Sequence, residues 1–147
     1  MVGRWSESAR ASYAASPIRF AGFVENLSRV LRGGILPVPL KSGSGLCTKI
    51  LAALAQGVPV VTTPVGAEGL GVPDGCGCLV RSYPAEFATA AVELAREPEL
   101  WSRVASSGMR AVACTYSRES VHRRRNEIYS AVVKAHSAAG RVGVEHG

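Results

Sequence analysis

Residues 41–63 read KSGSGLCTKILAALAQGVPVVTT, and the change of period inside this stretch decides the fold. KSGSG, Lys41 to Gly45, is a loop of small residues. After it Leu46, Ile50, Leu51, Leu54 and Ala55 recur on one helical face, and Ala52, Ala53 and Ala55 are strong helix formers. Gly57 suits the left-handed cap that ends a helix. VPVVTTP then supplies Val58, Val60 and Val61, an almost unbroken apolar run of the kind buried on both faces of a parallel sheet. Upstream, ILPVPL (35–40) reads as another buried strand, weakened by its two prolines. Strand, glycine loop, helix and strand make a βαβ unit with a right-handed crossover. The expected class is therefore α/β: a partial Rossmann-like parallel sheet with helices on both faces and a helical C-terminal portion.

Working outward, IRFAGFV (18–24) predicts a strand and Leu27 to Leu31 a short helix. GAEGLGVPDGCG is a turn-rich loop closing on the brief strand CLV (78–80). Helical patterns then follow in PAEFATAAVELARE, in ELWSRVASSGMRAVAC and from about Ser117 to His136, where Val121, Ile128, Tyr129 and Val132 share one side. Residues 1–136 read as one incomplete domain, with 137–147 as a flexible tail. No repeat or Pro/Ser-rich linker divides the chain.

Composition narrows the class. The chain has 147 residues, about one domain's worth, and a 47% hydrophobic fraction that can fill a core without disulfides or metals. With 19% charged and 6% aromatic residues it is neither an acidic disordered tail nor a coiled coil. The net charge of +6 favours anionic partners without naming one. MVGRWSESAR carries no apolar segment behind its basic residues, so neither a signal peptide nor an anchor is expected, and cytoplasmic is the default location. The uncharged run Ile50–Ala67 is broken by Gln56, Gly57, Pro59 and Pro64, which rules against a membrane span.

Chemistry concentrates at the glycine loop. Gly43 and Gly45 let backbone N–H groups, including that of Leu46, approach an anion, and the following helix aims the positive end of its dipole at the same place. Ser44 adds a hydroxyl and Lys49 an ammonium, so a diphosphate fits there. Taken alone, such a loop is also what tight turns need for purely structural reasons. Glu68 and Gly69 follow the VPVVTTP strand, at the carboxyl side where α/β sheets hold ligands; Glu68 there either accepts a ligand hydroxyl or is simply solvated. Cys47, Cys76, Cys78 and Cys114 lack zinc spacing and read as apolar thiols, so no metal is expected. Arg118, His122 and Arg123–Arg125 read as a solvated helix face, because three successive arginines point in different directions. No nucleic-acid partner is expected from them, while an anionic membrane surface stays open. All three histidines are C-terminal, which disfavours a Ser-His-Asp hydrolase.

FAGFVENL, ILPVPLKSGSGLCTKILAALAQGVPVVTTPVGAEGL, GCLV and PAEFATAAVELAREPEL with TYS, together spanning about residues 17–133, resemble the C-terminal, donor-binding half of group 1 glycosyltransferases of GT-B architecture. The resemblance implies sugar transfer from a nucleoside-diphosphate donor with retention at the anomeric carbon, using no metal or cofactor. It implies Gly43, Ser44, Gly45, Leu46, Lys49, Glu68 and Gly69 as donor-binding residues and names no catalytic residue within the chain. Relatives commonly carry Glu-x7-Glu here, the second glutamate holding ribose hydroxyls. In this sequence those slots hold Ser44 and Ala52, and losing a carboxylate that accepts charge-assisted hydrogen bonds costs about 1.5–3 kcal/mol. The resemblance begins partway into the donor domain: VGRW matches the end of an internal strand, so the domain's opening strand and helix and the acceptor-binding domain lie outside the match. A missing N-terminal acceptor domain or partner subunit is implied, and no turnover is expected of the chain by itself. The alternative is a degenerate, non-catalytic remnant that acts only through protein–protein contacts.

Overall fold

The computed structural model describes residues 6–43 and 45–141. Short helices α1 (Glu7–Ser12) and α2 (Leu27–Leu31) precede the strand β1 (Leu36–Val38). Then come α3 (Thr48–Ala55), β2 (Val60–Thr62), α4 (Pro64–Ala67) and β3 (Cys78–Val80). Three longer helices finish the chain: α5 (Pro84–Arg96), α6 (Pro98–Tyr116) and α7 (Arg118–Arg141).

The sheet is parallel throughout in the order β1-β2-β3, with Leu36 opposite Val60 and Val60 opposite Cys78. Because side chains alternate across a strand, Val38, Val60 and Cys78 face one side and Val61 and Leu79 the other. α3 covers the first side through Ile50, Ala53 and Leu54, none more than 1% exposed. α5 covers the second through Ala90 and Leu94. The expected βαβ unit with helices on both faces is thus the observed one. α3 ends as expected too: Gly57 has φ 70°, Val58 N–H donates to Ala53 O (2.9 Å) and Gly57 N–H to Leu54 O (3.0 Å). This doubly bonded left-handed cap turns the chain straight into β2.

Two expectations are corrected. Residues 18–24 form no strand; Gly22 takes φ 69° in their middle and makes only an isolated bridge, and Phe23 is 84% exposed. A left-handed residue cannot continue an extended run. The helix expected from Leu46 begins instead at Thr48, with Leu46 40% exposed and Ala55 exposed, so the buried stripe is Ile50, Ala53 and Leu54.

α6 lies across the amino ends of the strands. Trp101 Nε1–H donates to Gly34 O (2.9 Å) just before β1. Gly108 meets Gly77 just before β3 so closely that a Cβ on Gly108 would sit 2.8 Å from the Gly77 Cα. A Cβ on Gly108 would also crowd Leu54 of α3, and α6 packs against both α3 and α5. α7 runs past His136 to Arg141, and its Val121, Ile128, Tyr129 and Val132 are all at least 50% exposed. No described helix is long and apolar enough to cross a membrane.

At the outer side of the sheet formed by the described residues, Leu36 turns its N–H to Pro59 O (2.9 Å), so the backbone of Pro37 points away from β2. Proline has no N–H. The outer side of β1 therefore offers no donor at Pro37, nor two residues later at Pro39.

Candidate functional site

With α6 at the amino ends, the carboxyl ends of the strands remain open, and two connections leave from them. The first is residues 41–47 after β1, the second α4 and the turn beyond it after β2. Thr63 holds them together. Its hydroxyl donates to Leu40 O at 2.6 Å and accepts from Gly66 N–H at 3.2 Å, so one side chain both pins the start of the glycine loop and caps α4. Beside it, Thr62, fully buried, donates to Val38 O at 3.1 Å. Gly66 lies so tightly against the Thr62 hydroxyl that a Cβ there would collide with Oγ1.

In the first connection Gly43 and Gly45 are exposed, and a Cβ on either would meet nothing within 4 Å. Gly45 has φ 86°, a backbone conformation that L side chains rarely adopt. Cys47 occupies the cap of α3 without a side-chain hydrogen bond, and the N–H groups of Gly45, Leu46, Cys47 and Lys49 have no partner among the described residues. The mouth of α3 is therefore open, with donors and the positive dipole end facing solvent. Lys49 is the second residue of the helix and exposed, on the same outer face as Ala52. Ser44 lies outside the described residues.

The second connection carries Glu68 and Gly69 on a type II turn. Glu68 has φ −57° and ψ 132°, Gly69 has φ 74°, and Leu70 N–H closes the turn on Ala67 O at 3.2 Å. Both crest residues are exposed while Leu70 is fully buried. Tyr116, at the end of α6, donates its hydroxyl to the carbonyls of Leu70 (2.9 Å) and Gly69 (3.3 Å). Both loops are exposed along the carboxyl edge, and the surface has hollows along α5, along α7 and around Trp101.

The sequence-predicted residues thus fall on two loops rising from adjacent strand ends. Thr63 and Tyr116 were not singled out as part of this edge. Thr63 had a usable signal, a threonine directly before a proline at the first helical position. Tyr116 had none, since its partners are 46 and 47 residues away in the chain.

The thiols follow burial. Burial pushes the Cys78 thiol from 9.0 up to about 12, with the Asp74 carboxylate and Cys47 adding to the rise. Cys114 is exposed and all four cysteines are free. No group of three His, Cys, Asp or Glu among the described residues is arranged to hold a metal ion.

This edge belongs to a known kind of domain. The family model described as glycosyl transferases group 1 matches residues 1–97. The chain belongs to that family. The match takes in the whole sheet, the glycine loop and the Glu68–Gly69 turn of this group 1 glycosyltransferase domain and ends at the start of α6. No curated protein matches the chain.

Proposed function

We propose that this glycosyltransferase domain binds the diphosphate of a nucleotide-sugar donor at the open mouth of α3, for transfer of the sugar to an acceptor held by another domain or subunit. The observation that carries this reading is the pairing of two loops at the carboxyl edge. Unpartnered amides and Lys49 lie on one, Glu68 on the other, and the Thr63 hydroxyl locks their bases together. Backbone donors of Gly43, Ser44, Gly45 and Leu46 contact the diphosphate, Lys49 supplies charge, and Glu68 with Gly69 borders the sugar. The four free cysteines fit a reducing, cytoplasmic setting.

The test is calorimetric titration with uridine and guanosine diphosphates and their sugar conjugates. Gly45→Trp crowds the loop and strains a φ of 86°, and is expected to weaken binding about tenfold or more. Equal affinity in both proteins defeats the proposal. The chain alone, incubated with labelled nucleotide sugars, is expected to transfer nothing, because in this reading the acceptor is held by another domain or subunit.

A second reading has its own support. Ala52 leaves the ribose-binding slot without a carboxylate, and the exposed stripe of α7 is apolar. Both fit a subunit that acts through protein contacts and binds no donor; a failed titration with an intact fold selects it.

A further inference from the structure

We propose that Tyr116 is a positioning residue for the Glu68–Gly69 turn, its hydroxyl clamping the turn from behind so that the crest is held ready for a ligand. The link to a ligand rests on the donor reading of this edge; the clamp itself does not.

The turn is fixed at its start by Thr63, which caps α4, and at its end by the buried side chain of Leu70. Between and beyond these points the backbone is soft, because Gly69 (φ 74°) and Gly71 (φ 62°) flank Leu70 and glycine has the most conformational freedom to lose. The Tyr116 hydroxyl bridges that soft segment. Its single proton is shared between the carbonyls of Leu70 and Gly69, at 2.9 and 3.3 Å, and no other side chain of the described residues hydrogen-bonds to residues 68–71. Tyr116 is in turn held by the α6–α7 corner. There Ser120 Oγ–H donates to Cys114 O (2.6 Å) and Ser120 N–H to Ser117 Oγ (3.1 Å). The corner thus sets the ring, the ring sets two carbonyls, and the carbonyls set the plane on which Glu68 stands.

Tyr116→Phe keeps the ring and removes only the clamp. Hydrogen exchange followed by mass spectrometry is expected to speed up about 2- to 10-fold in peptides covering residues 66–71, with peptides over β2 and β3 unchanged. Ser120→Ala, which loosens the corner without touching the turn, gives the same local pattern and serves should the phenylalanine variant fail to fold. Unchanged exchange in the turn overturns the proposal, and so does acceleration spread evenly over the sheet, which marks a general packing role. Titration of uridine diphosphate and guanosine diphosphate separates the two readings. If wild-type protein binds either and Tyr116→Phe weakens it by a similar factor, both stand. If exchange accelerates locally while wild-type protein binds neither, the clamp is supported and the donor reading falls. If wild-type protein binds and Tyr116→Phe binds equally well, the clamp does not serve the ligand and the proposal fails.

Discussion

Ala52→Glu restores a carboxylate at the one slot where the residue type departs most from what a nucleotide-sugar site needs. Ala52 is exposed, while Ile50, Ala53 and Leu54 beside it in sequence are buried, so the longer side chain extends into solvent and disturbs no packing. The cost in the folded state is small. Alanine is the best helix former and glutamate close behind, a difference of a few tenths of a kcal/mol. Lys49, three residues earlier on the same helix, returns about 0.2–0.5 kcal/mol. The unfolding midpoint should therefore stay within the change expected for about 0.5 kcal/mol. The gain in binding comes from a charge-assisted hydrogen bond to ribose hydroxyls, about 1.5–3 kcal/mol in general. At an exposed position the lower end applies, which is about a tenfold lower Kd for a nucleoside diphosphate by calorimetry. Lys49 competes for the new carboxylate, so the gain should grow when salt is raised from low to moderate strength and that pair is screened. A folded Ala52→Glu protein whose affinity is unchanged at every salt concentration would refute the placement of the ribose beside α3.

Three further outcomes follow from the packing and the thiols. Gly66→Ala drives a methyl group into the Thr62 hydroxyl and should cost about 1–3 kcal/mol in urea unfolding, whereas Gly43→Ala, with open space around it, should cost well under 1 kcal/mol. Gly108→Ala forces α6 away from Gly77 and should lower stability by a similar 1–3 kcal/mol; a neutral result would mean that the helix does not sit on that glycine. Cys78 should resist a thiol-labelling disulfide at pH 8 while Cys114 reacts at once, because the buried thiol ionises only near pH 12. By linkage, the unfolded chain loses this proton near pH 9.0 and the folded one near 12. The stability contributed by Cys78 is therefore whole below pH 9 and is lost as pH rises toward 12; stability that increased over that range would contradict its burial.

The βαβ unit was legible because its signals are local: the change from loop to helical period after Gly45, the left-handed Gly57 and the run of valines. The boundary at Thr48 was not, since Leu46 and Cys47 have the right polarity for a helix and only the backbone shows that they lead into it. The absent strand at 18–24 failed for a related reason. Its apolar run fits the pattern, but with one left-handed glycine and an exposed Phe23 it forms no more than a single bridge. At the candidate site the glycines and Lys49 could be read from residue type and spacing. The cap that Thr63 places on α4 could be read as well, but the bonds from Thr63 to Leu40 and from Tyr116 to Leu70 could not, because each joins segments more than twenty residues apart and residue pattern says nothing about which carbonyl a hydroxyl will find.

The side of β1 turned away from its neighbour has a consequence for how this domain meets other chains. With prolines at 37 and 39, that border can receive hydrogen bonds from an incoming peptide but return none at these two places. Sheets that grow by stacking strand upon strand need reciprocal bonds at every step. A ladder begun here would stall after its first rung, so the border is guarded against runaway polymerisation by two missing protons, without a single charged residue on it.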